Sequence, residues 1–152
     1  MDVIKETFTG AWKHTGDVNL QEFFMAVGAT EQETLYMTSS SPRLKFEVTG
    51  KVILMTNAPH PENIPEDTVE LDVTLNEEFK FEPKGVLLHI LTVWEDGKLT
   101  QKIRPDDPNR LLPHTIEHYI NEKGELIQVY KIIDKDGNTV EGKRTYEKEK
   151  TT

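Results

Sequence analysis

The sequence contains no cysteine. That absence excludes a disulfide framework, a thiolate metal site and a thiol nucleophile. Positive charge is also short: 18 Lys and Arg stand against 27 Asp and Glu, for a net charge of −9. A nucleic-acid partner needs a basic surface, so none is expected. The same balance disfavours adhesion to an anionic membrane, although transient membrane contact through a local basic patch stays open. No apolar run approaches the length of a membrane-spanning helix. The opening "MDVIKETFTGAW" lacks a basic stretch followed by an apolar core, so no signal peptide is visible and a cytoplasmic location is expected. There is no glycine-rich phosphate loop and no G-x-S-x-G elbow. His114 and His118 are spaced for a metal clasp on a helix, but on a strand they stand ~13 Å apart at roughly 3.3 Å per residue. His14, His60 and His89 form no local ligand set. Neither metal nor cofactor is expected.

What the sequence does hold is alternation. Its 152 residues suffice for one domain, taken as 1–152. In "RLKFEVT", Leu44, Phe46 and Val48 fall on one face; in "TVELDVTL", Val69, Leu71, Val73 and Leu75 do. Similar segments are "TFTGAWKH", "KVILMTN", "EFKFE", "VLLHILTVW", "KLTQKIR", "HTIEHYI", "ELIQVYKII" and "NTVEGKRTYEK". Tight-turn signals such as Asp96-Gly97 join many of them. Two proline-rich loops, 58–67 and 105–113, interrupt the series, and their role is open.

Only the region about 19–38 has helical spacing. Leu20, Phe23, Phe24 and Val27 recur on one helix face, Asn19 and Glu22 fit a capping box, and Gly28 fits a left-handed stop. Thr30 and Glu33 repeat the box for a second helix. These features predict an all-β protein with a small helical lid: a ten-stranded antiparallel up-and-down β-barrel with a helix-turn-helix between the first two strands. Closure would remove exposed strand edges and leave a ligand-sized interior.

"FTGAWKHTGDVNLQEFFMAVG", "WEDGKLTQ" and "ELIQVYKII…GKRTYEK" resemble, in order and spacing, the intracellular lipid-binding proteins of the calycin superfamily, which include the fatty-acid-binding and cellular retinoid-binding proteins. The resemblance implies a lid-covered barrel with a water-filled interior, binding a fatty acid or similar lipid for transport or storage. The opening and closing segments, with "EHYINEKGEL", also resemble the small catalytic subunit of decapod shrimp luciferases, which implies a related barrel that oxidises coelenterazine. This chain lacks most of that protein's middle sequence. A non-catalytic, monomeric carrier is the leading expectation; luciferase-like oxidation and retinoid or pigment binding are the alternatives.

In the lipid-binding family an arginine and a tyrosine two apart on the last strand hold the ligand carboxylate. Arg144 and Tyr146 match that pattern, and a carboxylate in an apolar cavity needs such partners to replace its hydration. A second family arginine, on the eighth strand, is missing here. Its equivalent is His118, or Glu117 if the gap is placed differently. His118 would share a face with Ile116 and Ile120. A histidine carries charge only near or below pH 6.5, so the change favours a less acidic lipid, such as a retinoid, sterol-like or polyketide compound. Phe23, Phe24 and Val27 are expected at the portal, and Phe46, Leu71, Val73, Phe81 and Tyr130 along the interior. Trp12 is expected at the closed base, with Gly10 permitting a strand bend.

Overall fold

The computed structural model describes residues 1–58 and 68–149. In chain order the elements are α1 (Asp2–Phe8), β1 (Gly10–Val18), α2 (Leu20–Val27), α3 (Glu31–Ser39), β2 (Arg43–Thr49), β3 (Val52–Ala58), β4 (Val69–Thr74), β5 (Phe79–Phe81), a single 3-10 turn (Pro83–Gly85), β6 (Leu88–Glu95), β7 (Lys98–Pro105), β8 (His114–Ile120), β9 (Leu126–Ile133) and β10 (Thr139–Lys148). Ten antiparallel strands form one sheet in the order β4-β3-β2-β1-β10-β9-β8-β7-β6-β5. The sheet curls into a nearly closed barrel whose seam lies between β4 and β5. The loop expected over 58–67 falls, from 59 onward, outside the described residues.

Register explains which side chains turn inward. Opposed residues share a face. Phe46 opposes Met55, and Met55 opposes Leu71; on the far side Phe79 opposes Ile90, and Ile90 opposes Ile103. These apolar positions face the interior, and the alternating charged positions face water. At one end Ile4, Phe8 and Trp12 are buried with Leu44 and Leu126 and plug the barrel. The Trp12 indole Nε1–H donates to the Phe8 carbonyl at 2.9 Å. Trp12 thus sits at the closed base.

Two local expectations fail. Thr7 and Phe8 are not strand but the end of α1, which places Ile4 and Phe8 on one helix face over the barrel end. Asn19 does not form a capping box. It adopts a left-handed conformation, φ 53°, with no side-chain cap, because β1 runs to Val18 and the chain must turn at once into α2. Asparagine tolerates that region better than most residues. At Thr30 the capping box does form: Thr30 Oγ1 accepts from Glu33 N–H at 3.1 Å, and Glu33 Oε1 accepts from Thr30 N–H at 2.8 Å.

Candidate functional site

α2 covers the interior by packing against β10 and β9. Its buried face, Leu20, Phe23 and Val27, continues into Tyr130 and Ile132. The Phe23 and Tyr130 ring centroids are 5.3 Å apart, and Phe24 lies 5.7 Å from Tyr130. The contact depends on Gly142. A Cβ there would meet Leu20 Cα at 3.0 Å, Asn19 O at 3.1 Å and Phe23 Cβ at 3.2 Å. The end of α2 is held by the segment before β8. Leu112 N–H donates to Val27 O at 2.9 Å, and the Arg110 guanidinium donates to Gly28 O at 3.4 Å and Glu33 Oε1 at 2.7 Å. Part of the second proline-rich loop is therefore a strap over the lid.

Beneath the lid, inward residues of β8, β9 and β10 form a continuous polar chain. His118 opposes Gln128, and Gln128 opposes Arg144. His118 Nδ1 lies 3.1 Å from the Leu99 carbonyl, which can only accept, so this nitrogen carries the proton. Its Nε2 then accepts from Gln128 Nε2 at 3.2 Å. Gln128 Oε1 accepts from both phenols, Tyr146 at 2.8 Å and Tyr130 at 2.9 Å. Arg144 Nε donates to Asp17 Oδ1 at 3.0 Å, and its Nη2 reaches Asp17 Oδ2 at 3.5 Å. Nη2 also donates to the carbonyls of Met37 and Ser40 and to Ser40 Oγ, at the end of α3.

Burial governs the charges here. His118 is 1% exposed, and desolvation lowers its pKa to about 4, so the imidazole is neutral at physiological pH. Burial pushes Tyr130 up to about 12 and Tyr146 well above its ordinary value. Arg144, also 1% exposed, is opposed by burial, yet its pKa is raised overall, and the Asp17 carboxylate hydrogen-bonds its charged form. Both phenols are neutral near pH 7, so the formal counter-charge is Asp17. That side chain sits at the rim, 21% exposed, and also contacts His14 Nε2 at 2.7 Å.

The opposite wall is apolar. Phe46, Ile53 and Val73 are buried, while Met55, Leu71, Phe79 and Phe81 are half-buried toward the seam. In this structure the two walls touch. The Phe46 ring lies 6.0 Å from the His118 ring, and Gln101 Nε2 lies 3.8 Å from Met55 Sδ. At these two points the polar and apolar walls meet across the barrel.

The expected residues thus distribute as follows. Arg144, Tyr146, His118 and Tyr130 share the polar wall; Phe46, Leu71, Val73 and Phe81 stand on inward positions of the apolar side; Phe23, Phe24 and Val27 lie under the lid. The choice between His118 and Glu117 is resolved: Glu117 points outward, with its Oε1 2.9 Å from Lys131 Nζ. Sequence reasoning missed Asp17, Gln128, Gln101 and Thr92. Gln128 was accessible through alternation, since it lies two residues from Tyr130, whereas the face of Gln101 follows only from its register opposite Ile116. Asp17 was not. The register shifts between His14 and Gly16, and this bulge turns Asp17 to the face of Arg144. Among the described residues no group of three His, Asp or Glu could hold a metal ion, and no helix is long and apolar enough to cross a membrane.

No family model and no curated protein matches the sequence. Solved structures do match the fold. The apo form of Caenorhabditis elegans lipid binding protein 8 superposes with a TM-score of 0.77 at 19% identity, covering 95% of this chain and 96% of that one. Echinococcus granulosus fatty-acid-binding protein 1 gives 0.75 at 21% identity over 94% and 98%. The wild-type fluorescent protein UnaG gives 0.75 at 22% identity over 95% and 98%. The chain has the fold of the fatty-acid-binding proteins.

Proposed function

We propose that this protein binds one small hydrophobic molecule with a polar head, a long-chain fatty acid or related lipid, inside the barrel, and that it serves as a monomeric cytoplasmic carrier or store. The observation that carries this reading is the division of the interior into two walls. A structural core has little use for Thr92, Gln101, His118, Gln128, Tyr130, Arg144 and Tyr146 on inward positions, since each polar group taken from water must recover a partner. Placed opposite Phe46, Ile53, Leu71, Val73 and Phe81, they make a container for an amphipathic molecule. The tail would supply most of the affinity, at roughly 0.8 kcal/mol per buried methylene. The likeness in fold to a lipid binding protein and a fatty-acid-binding protein supports the same reading.

The test is titration of delipidated protein with a fluorescent fatty-acyl probe. Saturation at one equivalent, with displacement by unlabelled lipid, is expected. Absence of saturable uptake would overturn the reading, and light emission far above buffer on mixing with coelenterazine in air would replace it with an oxidation.

A further inference from the structure

Arg144 does not wait with an open fork. Nε and Nη2 already face the two oxygens of Asp17, at 3.0 and 3.5 Å, and Nη2 is further occupied by the Met37 carbonyl and by Ser40. Asp17 is itself held from behind by His14 Nε2 at 2.7 Å. A carboxylate belonging to the chain therefore already occupies the Nε–Nη2 edge of the guanidinium, the edge that could otherwise take a ligand carboxylate in a two-pronged bond. A second one beside it would have to share a single buried guanidinium, and two carboxylates at one cation repel. No other cation is at hand on this wall, because His118 is neutral and donates Nδ1–H to Leu99 O. What remains there is neutral: with both imidazole nitrogens and both phenol hydrogens already engaged, the two phenol oxygens can still accept and Gln128 Nε2 has a second N–H to donate. That set matches a hydroxyl, amide or ester.

From this geometry we infer that Asp17 is a specificity-determining residue, an internal counter-carboxylate that makes the barrel select lipids with an uncharged polar head over the free acids. The inference rests on the lipid-binding reading above and names the ligand class of that same site. It also states what Asp17 excludes: a fatty acid would bind well only by displacing Asp17 from Arg144 toward solvent.

The experiment compares myristyl alcohol with myristic acid as competitors for a fluorescent neutral lipid probe, near neutral pH, on wild-type protein and on Asp17→Asn. Wild-type protein should bind the alcohol at least about tenfold more tightly, a difference of about 1.4 kcal/mol. Asp17→Asn, which frees the guanidinium, should reverse the order. Wild-type protein that binds the acid as tightly as the alcohol overturns the inference while leaving lipid binding intact. So does an Asp17→Asn protein with an unchanged ratio. Failure of wild-type protein to bind either ligand or the probe overturns the lipid-binding reading itself. Should Asp17→Asn not fold, since it leaves Arg144 uncompensated, the wild-type comparison decides alone. The charge-free double variant Asp17→Asn/Arg144→Gln then serves as the second protein: it should prefer the alcohol, and a preference for the acid would contradict the role given to the pair.

Discussion

His118 joins the polar wall to pH. Its imidazole is neutral in the fold, with a pKa lowered from 6.5 to about 4 by burial. The unfolded chain therefore binds the proton first as pH falls. Stability from this residue is fully present above about 6.5 and is lost as pH drops through the window between that value and about 4. At about 1.36 kcal/mol per unit the loss is on the order of 3 kcal/mol. Urea midpoints measured from pH 7.5 to 4.5 should fall accordingly. In His118→Gln, which removes the titrating group, the slope should be shallower across that window; an identical slope would mean that other groups cause the loss. Tyr146 and Tyr130 share a single acceptor, Gln128 Oε1. Gln128→Leu should leave two buried hydroxyls without it, at roughly 1–3 kcal/mol each at most. Calorimetric melting would read this as a clearly lowered Tm.

At the scale of elements, the lid is set by small features. Gly142 lets the α2 backbone reach β10, and the atoms that an added Cβ would strike include Leu20 Cα and Asn19 O, neither of which can swing aside. Gly142→Ala should cost about 1–3 kcal/mol, the usual range for overpacking, and chemical denaturation will show it. The strap from Arg110 is half-exposed, so Arg110→Ala should cost no more than about 1 kcal/mol globally. Its effect should be local, seen as faster amide hydrogen exchange in α2 and α3 while β8 and β9 are unchanged. These elements also mark what was legible in the sequence. The strands were, because burial on one face imposes a period of two, and β2, β4 and β10 show it plainly. The helical lid was, from the 3.6-residue spacing of Leu20, Phe23 and Val27. α1 was not, because two apolar anchors in seven residues look the same as the start of a strand. Asp17 was lost for a sharper reason: a bulge reverses parity in β1, and neither residue type nor spacing announces it. The strap was visible only as a proline-rich loop, since its role depends on backbone contacts with Val27 and Gly28 that no local pattern encodes.

For the whole molecule, the question is how a ligand enters a barrel whose walls touch. Phe46 against His118 and Met55 against Gln101 must separate before a tail can lie between them. Two features permit this. β4 and β5 are the ends of the sheet order, so no ladder joins them and the seam can widen without breaking strand pairs. The lid is tied to Arg144 through Met37 and Ser40, and a competing headgroup would loosen that tie. Opening that precedes binding has a kinetic signature. In stopped-flow mixing, the observed association rate should level off with rising ligand concentration, and a rate that climbs linearly throughout would argue for a barrel already open. The central claim, that an amphipathic lipid occupies the space between the two walls, is tested most directly by NMR titration of the labelled protein with myristyl alcohol. Shifts should saturate at one equivalent, with ligand NOEs to Phe46, Tyr130 and Tyr146. Shifts that never saturate, or NOEs confined to outward-facing residues such as Leu35 and Val52, would contradict it.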